Sequence, residues 1–299
     1  MPAAPTPDMQ PSSPPVERTP AYDRYGPDMP RSPVVISVPH AGRNYTPTLL
    51  ANARCGVAGL RRLEDRYADL LAHRLIALGY SVMIARTPRA VIDLNRDERE
   101  IDPAMVRGLP RNQPLMTSAK MRGGLGLVPR RLQGIGDLWT LPVDWGELSG
   151  RIAFLHRPYH EALAGMMRRA RDAHGHAILL DIHSMPPLTA GVRPPGIVLG
   201  DRFGRSASTR LVALAADLCE GHGMASAQNH PYPGNYLLER HGRPESGFHA
   251  LQVEVDRSLY LDTALDRPGH GLARMQGVMV ELAEALGIEL PGAFAQAAE

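Results

Sequence analysis

The stretch His176–Pro187, HAILLDIHSMPP, decides the fold. Ala177-Ile178-Leu179-Leu180 is short, continuous and rich in branched side chains, and it follows a helix-like segment closed by Gly175, which is the pattern of a strand buried on both faces. Asp181, His183 and Ser184 arrive at the carboxyl end of that strand. Alternation along a strand puts Asp181 and His183 on one face, and the carboxyl ends of strands are where open α/β sheets bind ligands. A carboxylate and an imidazole have no packing use there. Taken alone, though, the pair is equally well read as a polar turn closed by Pro186-Pro187. Companions elsewhere in the chain must decide.

A second buried-type run, Pro33–Val38, stops at Pro39-His40-Ala41-Gly42 and again delivers a histidine at its carboxyl end. The segment 249–255, HALQVEV, alternates: Leu251, Val253 and Val255 point one way, Gln252 and Glu254 the other. A carboxylate inside a strand is costly to bury without a partner. Ser81–Ala85, Ala90–Leu94 and Gly196–Gly200 read as further strands. Helical spacing runs from Val57 to Leu78 through Leu60, Leu63, Tyr67, Leu70, Leu71 and Ile76, with Gly79 as the stop, and places Asp65 and Asp69 on one face at i, i+4. Other helices are predicted over 148–173, with a kink or restart at Pro158, over 206–219 and over 272–286. Strands alternating with helices give an α/β fold, a mixed and mostly parallel sheet with helices on both faces.

Residues 1–31 are crowded with Pro, Ser and Ala and show no periodic apolar face, so they read as a disordered tail. Residues 32–299 suit a single catalytic α/β domain. Between about 97 and 147 periodicity lapses and Gly and Pro are frequent, which predicts either a functional flap or insertion, or short helices without a clear pattern. The formal net charge is +2, and the basic residues are scattered arginines with Lys120 the only lysine. That distribution does not support nucleic-acid or membrane partners. Cys55 and Cys219 lie far apart in apolar helical patterns, as buried thiols of a reducing compartment do. No apolar stretch reaches the ~18 residues of a membrane span, and no charged start precedes an apolar core, so a cytoplasmic protein is expected.

His40, His183, at least one helix carboxylate and Glu254 converge on one rim. Two neutral imidazoles and one carboxylate with an open fourth position form the ligand set of a catalytic zinc site, with a separate glutamate as general base. Arg86, Arg89 and Arg96 fall in one short stretch and offer planar forks for a carboxylate. The loop 229–236, NHPYPGNY, has the composition of a substrate-contact segment and equally of an ordinary irregular loop. Three local motifs are discounted. Gly123-Gly124-Leu125-Gly126 lacks the strand-turn-helix setting of a dinucleotide fingerprint, and His156 and His160 lack the glutamate of HExxH, Arg157 standing there instead. No GxSxG elbow surrounds Ser184.

PHAG at 39–42, EDRY at 64–67, RAVIDLNR at 89–96, LLDIHS at 179–184, NHPYPGNY at 229–236 and LQVEVDRSLYLD at 251–262 together resemble the N-formylglutamate amidohydrolase family, over roughly Pro33 to Asp262. The resemblance implies a phosphorylase/hydrolase-like fold related to zinc carboxypeptidases. It implies amide hydrolysis dependent on zinc, or on another divalent transition metal, releasing formate and glutamate in histidine degradation. It puts the metal on His40, Asp65 and His183, proton shuttling on Glu254, and the Asn-Arg pair of the wider group on Asn95-Arg96. Arg43 stands where zinc carboxypeptidases carry a ligand glutamate, so Asp65 must replace it. Arg96 is then expected to be catalytic as well as substrate-binding, with Arg89, Asn95, Asn235 and Tyr236 contacting a small acidic amino-acid-derived substrate. Asp181 is expected to orient a metal ligand. Another N-acyl-amino-acid amidase, a carboxypeptidase-like zinc hydrolase, or a non-catalytic protein binding an acidic ligand would share these residues.

Overall fold

Runs of branched side chains that are apolar on both sides can be covered only from both faces, and the chain meets that demand with one twisted sheet. In the computed structural model, which describes residues 21–189 and 193–289, seven strands build it: β1 (Tyr22–Tyr25), β2 (Val34–Val38), β3 (Ser81–Ala85), β4 (Ala177–Met185), β5 (Ile197–Gly200), β6 (Ser226–Gln228) and β7 (Phe248–Asp256). Their order is β1-β3-β2-β4-β7-β5-β6. The neighbours β3/β2, β2/β4, β4/β7 and β5/β6 run parallel. β1 is antiparallel to β3, and β5 to β7. The mixed, mostly parallel sheet read from the sequence is the one observed.

Alternation sorts the side chains into two layers. Ile36, Val38, Leu180, Ile182, Leu251 and Val253 lie with the helices Ala68–Leu71, His73–Ala77, Thr209–Gly221 and Leu272–Glu289. Val35, Met83, Leu179 and Ala250 face the helix Arg157–His174 through Tyr159, Leu163 and Met166. Each fully buried aliphatic side chain in these layers contributes roughly 1.5–3 kcal/mol. The second face changes character toward its carboxyl end, where Ser37, Asp181, His183, Gln252 and Glu254 are all buried. Apolar packing gives way there to a polar chamber.

β4 runs on past Leu180 to Met185, so Asp181 and His183 share one strand face as alternation requires, and the alternative of a polar turn falls. Residues 1–20 lie outside the described residues, but the stretch read as tail contains β1, which pairs Tyr22–Tyr25 with Ala85–Val82. β1 thereby takes the edge of β3, and 90–94, predicted as a strand, turns back instead: Val91 N–H bonds Pro88 O and Asp93 N–H bonds Leu127 O. The long helix over 57–78 is three short ones, Gly56–Arg61, Ala68–Leu71 and His73–Ala77. Its helical ladder fails at 62–67 because Asp65 N–H bonds His40 O, Tyr260 Oη–H donates to Arg66 O, and Tyr67 is left-handed at φ 55°. Asp65 and Asp69 therefore share no helix face. The predicted interruption at Pro158 is a π-helical turn, Ile152–His156, between Trp145–Arg151 and Arg157–His174.

The segment 97–147 is built of short pieces. It holds a one-turn helix, Ala119–Arg122, a small hairpin of Arg131–Leu132 with Gly136–Asp137, and a two-residue pairing of Val106–Arg107 with Val143–Asp144. Buried Leu127, Leu138 and Trp139 anchor it to the second layer. Trp139 Nε1–H closes on Pro129 O at 2.6 Å.

Candidate metal centre and its pocket

Three neighbouring parallel strands end in the chamber, and their registers set its geometry. Ser37 is the partner of Asp181 across β2/β4, and Glu254 that of His183 across β4/β7. His40 follows β2 by two residues, and the non-helical break at 62–67 swings Asp65 in between the two rings. His40, Asp65 and His183 are all buried, and their ligand atoms lie within 4.8 Å of one another.

The hydrogen bonds fix how the rings face. His40 Nε2 lies 2.7 Å from Asp93 Oδ1, and His183 Nε2 lies 2.9 Å from Asp181 Oδ2. An ionised carboxylate can only accept, so both Nε2 atoms carry the proton. Each Nδ1 then turns toward Asp65 Oδ2, at 3.4 Å from His40 and 2.8 Å from His183. His40 Nδ1 is buried with no hydrogen-bond partner. Two imidazole lone pairs aimed at one carboxylate oxygen repel it unless a cation lies between them. Without one, a second proton on His183 serves. Burial opposes that proton, but Asp181 and Asp65 outweigh burial and hold the His183 pKa well above the ordinary value. Burial likewise works against Asp65 as an anion, yet the bond with His183 and the nearby His40 ring keep its carboxyl below the usual range. Two neutral nitrogens and a carboxylate, with outer N–H groups anchored on carboxylates, fit a zinc-like divalent ion.

Asp93 is fully buried and also accepts from Arg89 Nε at 2.8 Å and from the backbone N–H of Asn95 at 2.8 Å. Ser37 Oγ–H donates to Asp181 Oδ1 at 2.9 Å. Glu254 stands beside the centre with Gln252 Nε2–H donating to its Oε1 at 3.0 Å. Burial pushes its carboxyl up to about 7, with His183 pulling it down and Asp65 adding to the rise. Arg257 leans on the other side of Asp65, Nη2 to Oδ1 at 3.5 Å, while its Nε–H donates to Ser184 Oγ at 3.1 Å. Glu64 is occupied by Tyr45 Oη and by Arg66 Nη1, and does not turn to the rings.

Around the centre lies a cavity of about 250 Å³, an amino-acid-sized volume. Its walls bring together Arg89, Asn95, Arg96 and Asn235 with Glu254 and the three candidate ligands, and the segment 97–147 adds Lys120, Leu125 and Leu132. Arg96 is braced by Nε–H to Leu125 O and Nη1–H to Asn95 O, both at 2.9 Å. The two histidines set aside as a metal pair have a different use. His156 Nε2–H donates to Arg96 O at 2.8 Å and His160 Nε2–H to Leu94 O at 3.0 Å, with His160 Nδ1 accepting from His241 Nε2 at 3.1 Å. They hold the backbone that presents Asn95 and Arg96.

A profile of the N-formylglutamate amidohydrolase family matches residues 32–261, most of the described chain. The chain belongs to the N-formylglutamate amidohydrolase family. It is 29% identical over 244 residues to the N-formylglutamate deformylase of Pseudomonas aeruginosa, covering 78% of this chain and 83% of that protein. The Pseudomonas putida N-formylglutamate deformylase is likewise 29% identical, over 241 residues. Among solved structures, the N-formylglutamate amidohydrolase of Ralstonia eutropha JMP134 superposes with a TM-score of 0.80 at 30% identity, covering 88% of this chain and 95% of that one. A gene product of Agrobacterium tumefaciens shares the fold, with a TM-score of 0.58 at 17% identity.

Within this family member the sequence-derived site is largely brought together, with two corrections. Tyr236 does not reach the cavity: its ring stacks on His156 at 5.7 Å and its Oη accepts from Arg240 Nη1. Arg89, expected as a free fork, is already bonded to Asp93 through Nε. Asn95 spends its Oδ1 on Leu237 N–H, capping the helix Tyr236–His241, and keeps Nδ2 3.4 Å from His183 Nε2. Asp93, Arg257 and Lys120 were not singled out from the sequence for this site. The first two lie within RAVIDLNR and LQVEVDRSLYLD, so the signal was present for both.

Proposed function

We propose that the chain hydrolyses N-formyl-L-glutamate to formate and L-glutamate, in histidine degradation, using a divalent transition metal, zinc in the first instance, held by His40, Asp65 and His183. Hydrolysis of an amide C–N bond follows from the family; the substrate and the metal are the further step. The observation that carries the metal is the shared aim of both Nδ1 atoms at Asp65 with both Nε2 atoms anchored on buried carboxylates. When bound there, zinc supplies Lewis acidity, acidifying water and polarising a carbonyl oxygen.

The protein's own residues supply the rest. Glu254 takes a proton from the attacking water and returns it to the leaving amine nitrogen, so the formyl C–N bond breaks while a C–O bond forms. A carboxyl pushed up to about 7 by burial is matched to both halves of that shuttle near neutral pH. Arg96, braced through Nε and Nη1, offers Nη2 to the developing oxyanion. Arg89 keeps both Nη groups for the α-carboxylate next to the scissile amide, and Asn95 and Asn235 line the same wall. A serine mechanism finds no support in the geometry: Ser184 Oγ is held by Arg257 Nε, and both His183 nitrogens are bonded to carboxylates.

Formate release from N-formyl-L-glutamate, N-acetyl-L-glutamate and N-formyl-L-alanine, before and after chelator dialysis, tests the proposal. N-formyl-L-glutamate should be preferred and the activity should vanish with the metal. Preference for the N-acetyl compound, or activity indifferent to chelation, would overturn it.

A further inference from the structure

The charged lining of the cavity is unbalanced. Arg62, Arg89, Arg96, Lys120 and Arg257 face it against two carboxylates, Asp65 and Glu254. Three of the five cations are tied down: Arg89 by Asp93, Arg96 by two carbonyls, and Arg257 by Ser184 and Glu64 O. Arg62 and Lys120, both exposed at the rim, make no hydrogen bond or ion pair through their side chains among the described residues. Lys120 is also the only lysine in the chain. It sits on the one-turn helix Ala119–Arg122, whose start is capped by Ser118 Oγ accepting from Met121 N–H at 3.0 Å. Ser118 is in turn fastened to buried Glu100, and Leu127 N–H to Glu100 O at 2.8 Å. The helix is thus a fixed platform presenting an ammonium across from Arg89 and Arg96.

We infer that Lys120 is the residue that selects substrates with a carboxylate at the end of the side chain, its ammonium taking the γ-carboxylate while the inner Arg89 guanidinium takes the α-carboxylate. This rests on the amide-hydrolase reading of the same cavity. The division follows from connectivity. The α-carboxylate is attached to the carbon that carries the scissile amide, so it stays deep beside the centre; the γ-carboxylate lies two methylenes further out and reaches the rim. Like charges gathered round a cavity repel one another, and a dianion relieves that repulsion where a monoanion relieves only part. Partial desolvation of its ammonium at the rim, then the proximity of Arg96 and of Arg89, lowers the Lys120 pKa against the smaller opposing pull of Glu254 and Asp93. A compact ammonium on a flexible stem also suits a carboxylate at the end of a flexible side chain better than a rigid fork would.

The test has two arms on the full-length protein. The first compares kcat/KM for N-formyl-L-glutamate with that for N-formyl-L-glutamine, in which a neutral amide replaces the carboxylate at the same shape. Lys120→Met should reduce the glutamate-over-glutamine preference roughly 10- to 100-fold, the worth of a charge-assisted hydrogen bond, with the loss falling in KM; Lys120→Arg should retain most of it. The second arm uses the single lysine. Acylation of Lys120 by an amine-selective anhydride, followed by peptide mass spectrometry, should be slowed severalfold by L-glutamate and by glutarate but not by L-glutamine. An unchanged preference in Lys120→Met overturns the inference, as does equal protection by glutamate and glutamine. Should the wild-type protein release no formate from N-formyl-L-glutamate, the activity reading fails on its own, and the labelling arm still decides whether Lys120 recognises a side-chain carboxylate.

Discussion

Asp93 and Asp181 govern the centre without lying in it. By accepting the Nε2 protons of His40 and His183 they fix the tautomer that turns both Nδ1 lone pairs inward. Asp93→Asn keeps the shape but makes the acceptor neutral, so zinc affinity, measured by competition with a chromophoric chelator, should fall about 10- to 100-fold while the fold persists. Unchanged affinity would mean His40 needs no anchor. Glu254→Gln should keep stoichiometric metal while kcat drops by roughly 10²–10⁴, the usual worth of a positioned base, with KM little altered. Metal loss in that variant would make Glu254 a ligand instead. His40, His183 and Glu254 were legible in the sequence because each interrupts or closes a buried run in which a polar group has no packing role. Asp93 lies within RAVIDLNR, but its role was not legible there, because it rests on two partners, His40 and Arg89, that only the turn at 86–96 brings to it.

At the scale of elements, the strands that carry the site read correctly because a buried strand needs nothing beyond its own residues to be recognised. Tyr22–Tyr25 lacks such a run, and its strand character comes from pairing with β3 and from the edge of the Tyr22 ring meeting Tyr159 at 5.7 Å. Helical spacing over 57–78 misled for a related reason: buried Glu64, Asp65 and Arg66 find partners in Tyr45, His183 and Asp266, and those bonds outweigh the local ladder. Two truncations separate tail from strand. Deleting residues 1–20 should leave Tm and activity unchanged, on the strength of their composition. Extending the deletion through Tyr25 should lower Tm by several degrees, at about 2–4 °C per kcal/mol for a protein of this size, because the edge of β3 is uncovered. An unchanged Tm in the longer deletion would show that β1 contributes nothing to stability.

The molecule as a whole is asymmetric about its sheet, with plain apolar packing on one face and a polar chamber closed by the segment 97–147 on the other. No helix among the described residues is long and apolar enough to cross a membrane. The chamber's scaffold includes histidines kept neutral by burial: His160 falls well below the ordinary value, and His241 is pushed down to about 3 by burial with Arg240 and Arg243 adding to it. Their folded pKa values lie below the unfolded one, so the unfolded chain takes up protons first as pH falls. The stability these two histidines contribute should therefore be complete above about pH 6.5 and decline below it toward pH 3, by about 1.4 kcal/mol per pH unit for each histidine that stays neutral. Tm recorded from pH 7.5 to 5.5 should fall, and His241→Asn should flatten the slope; parallel slopes would remove His241 from the acid response. The proposed hydrolysis depends on a metal held by His40, Asp65 and His183. Zinc titration of chelator-stripped protein, followed by formate release from N-formyl-L-glutamate, tests it directly. No activity is expected before addition, then a linear rise that breaks at one zinc per chain; full activity in the stripped protein, or no recovery at any zinc level, would rule out a required metal at His40, Asp65 and His183.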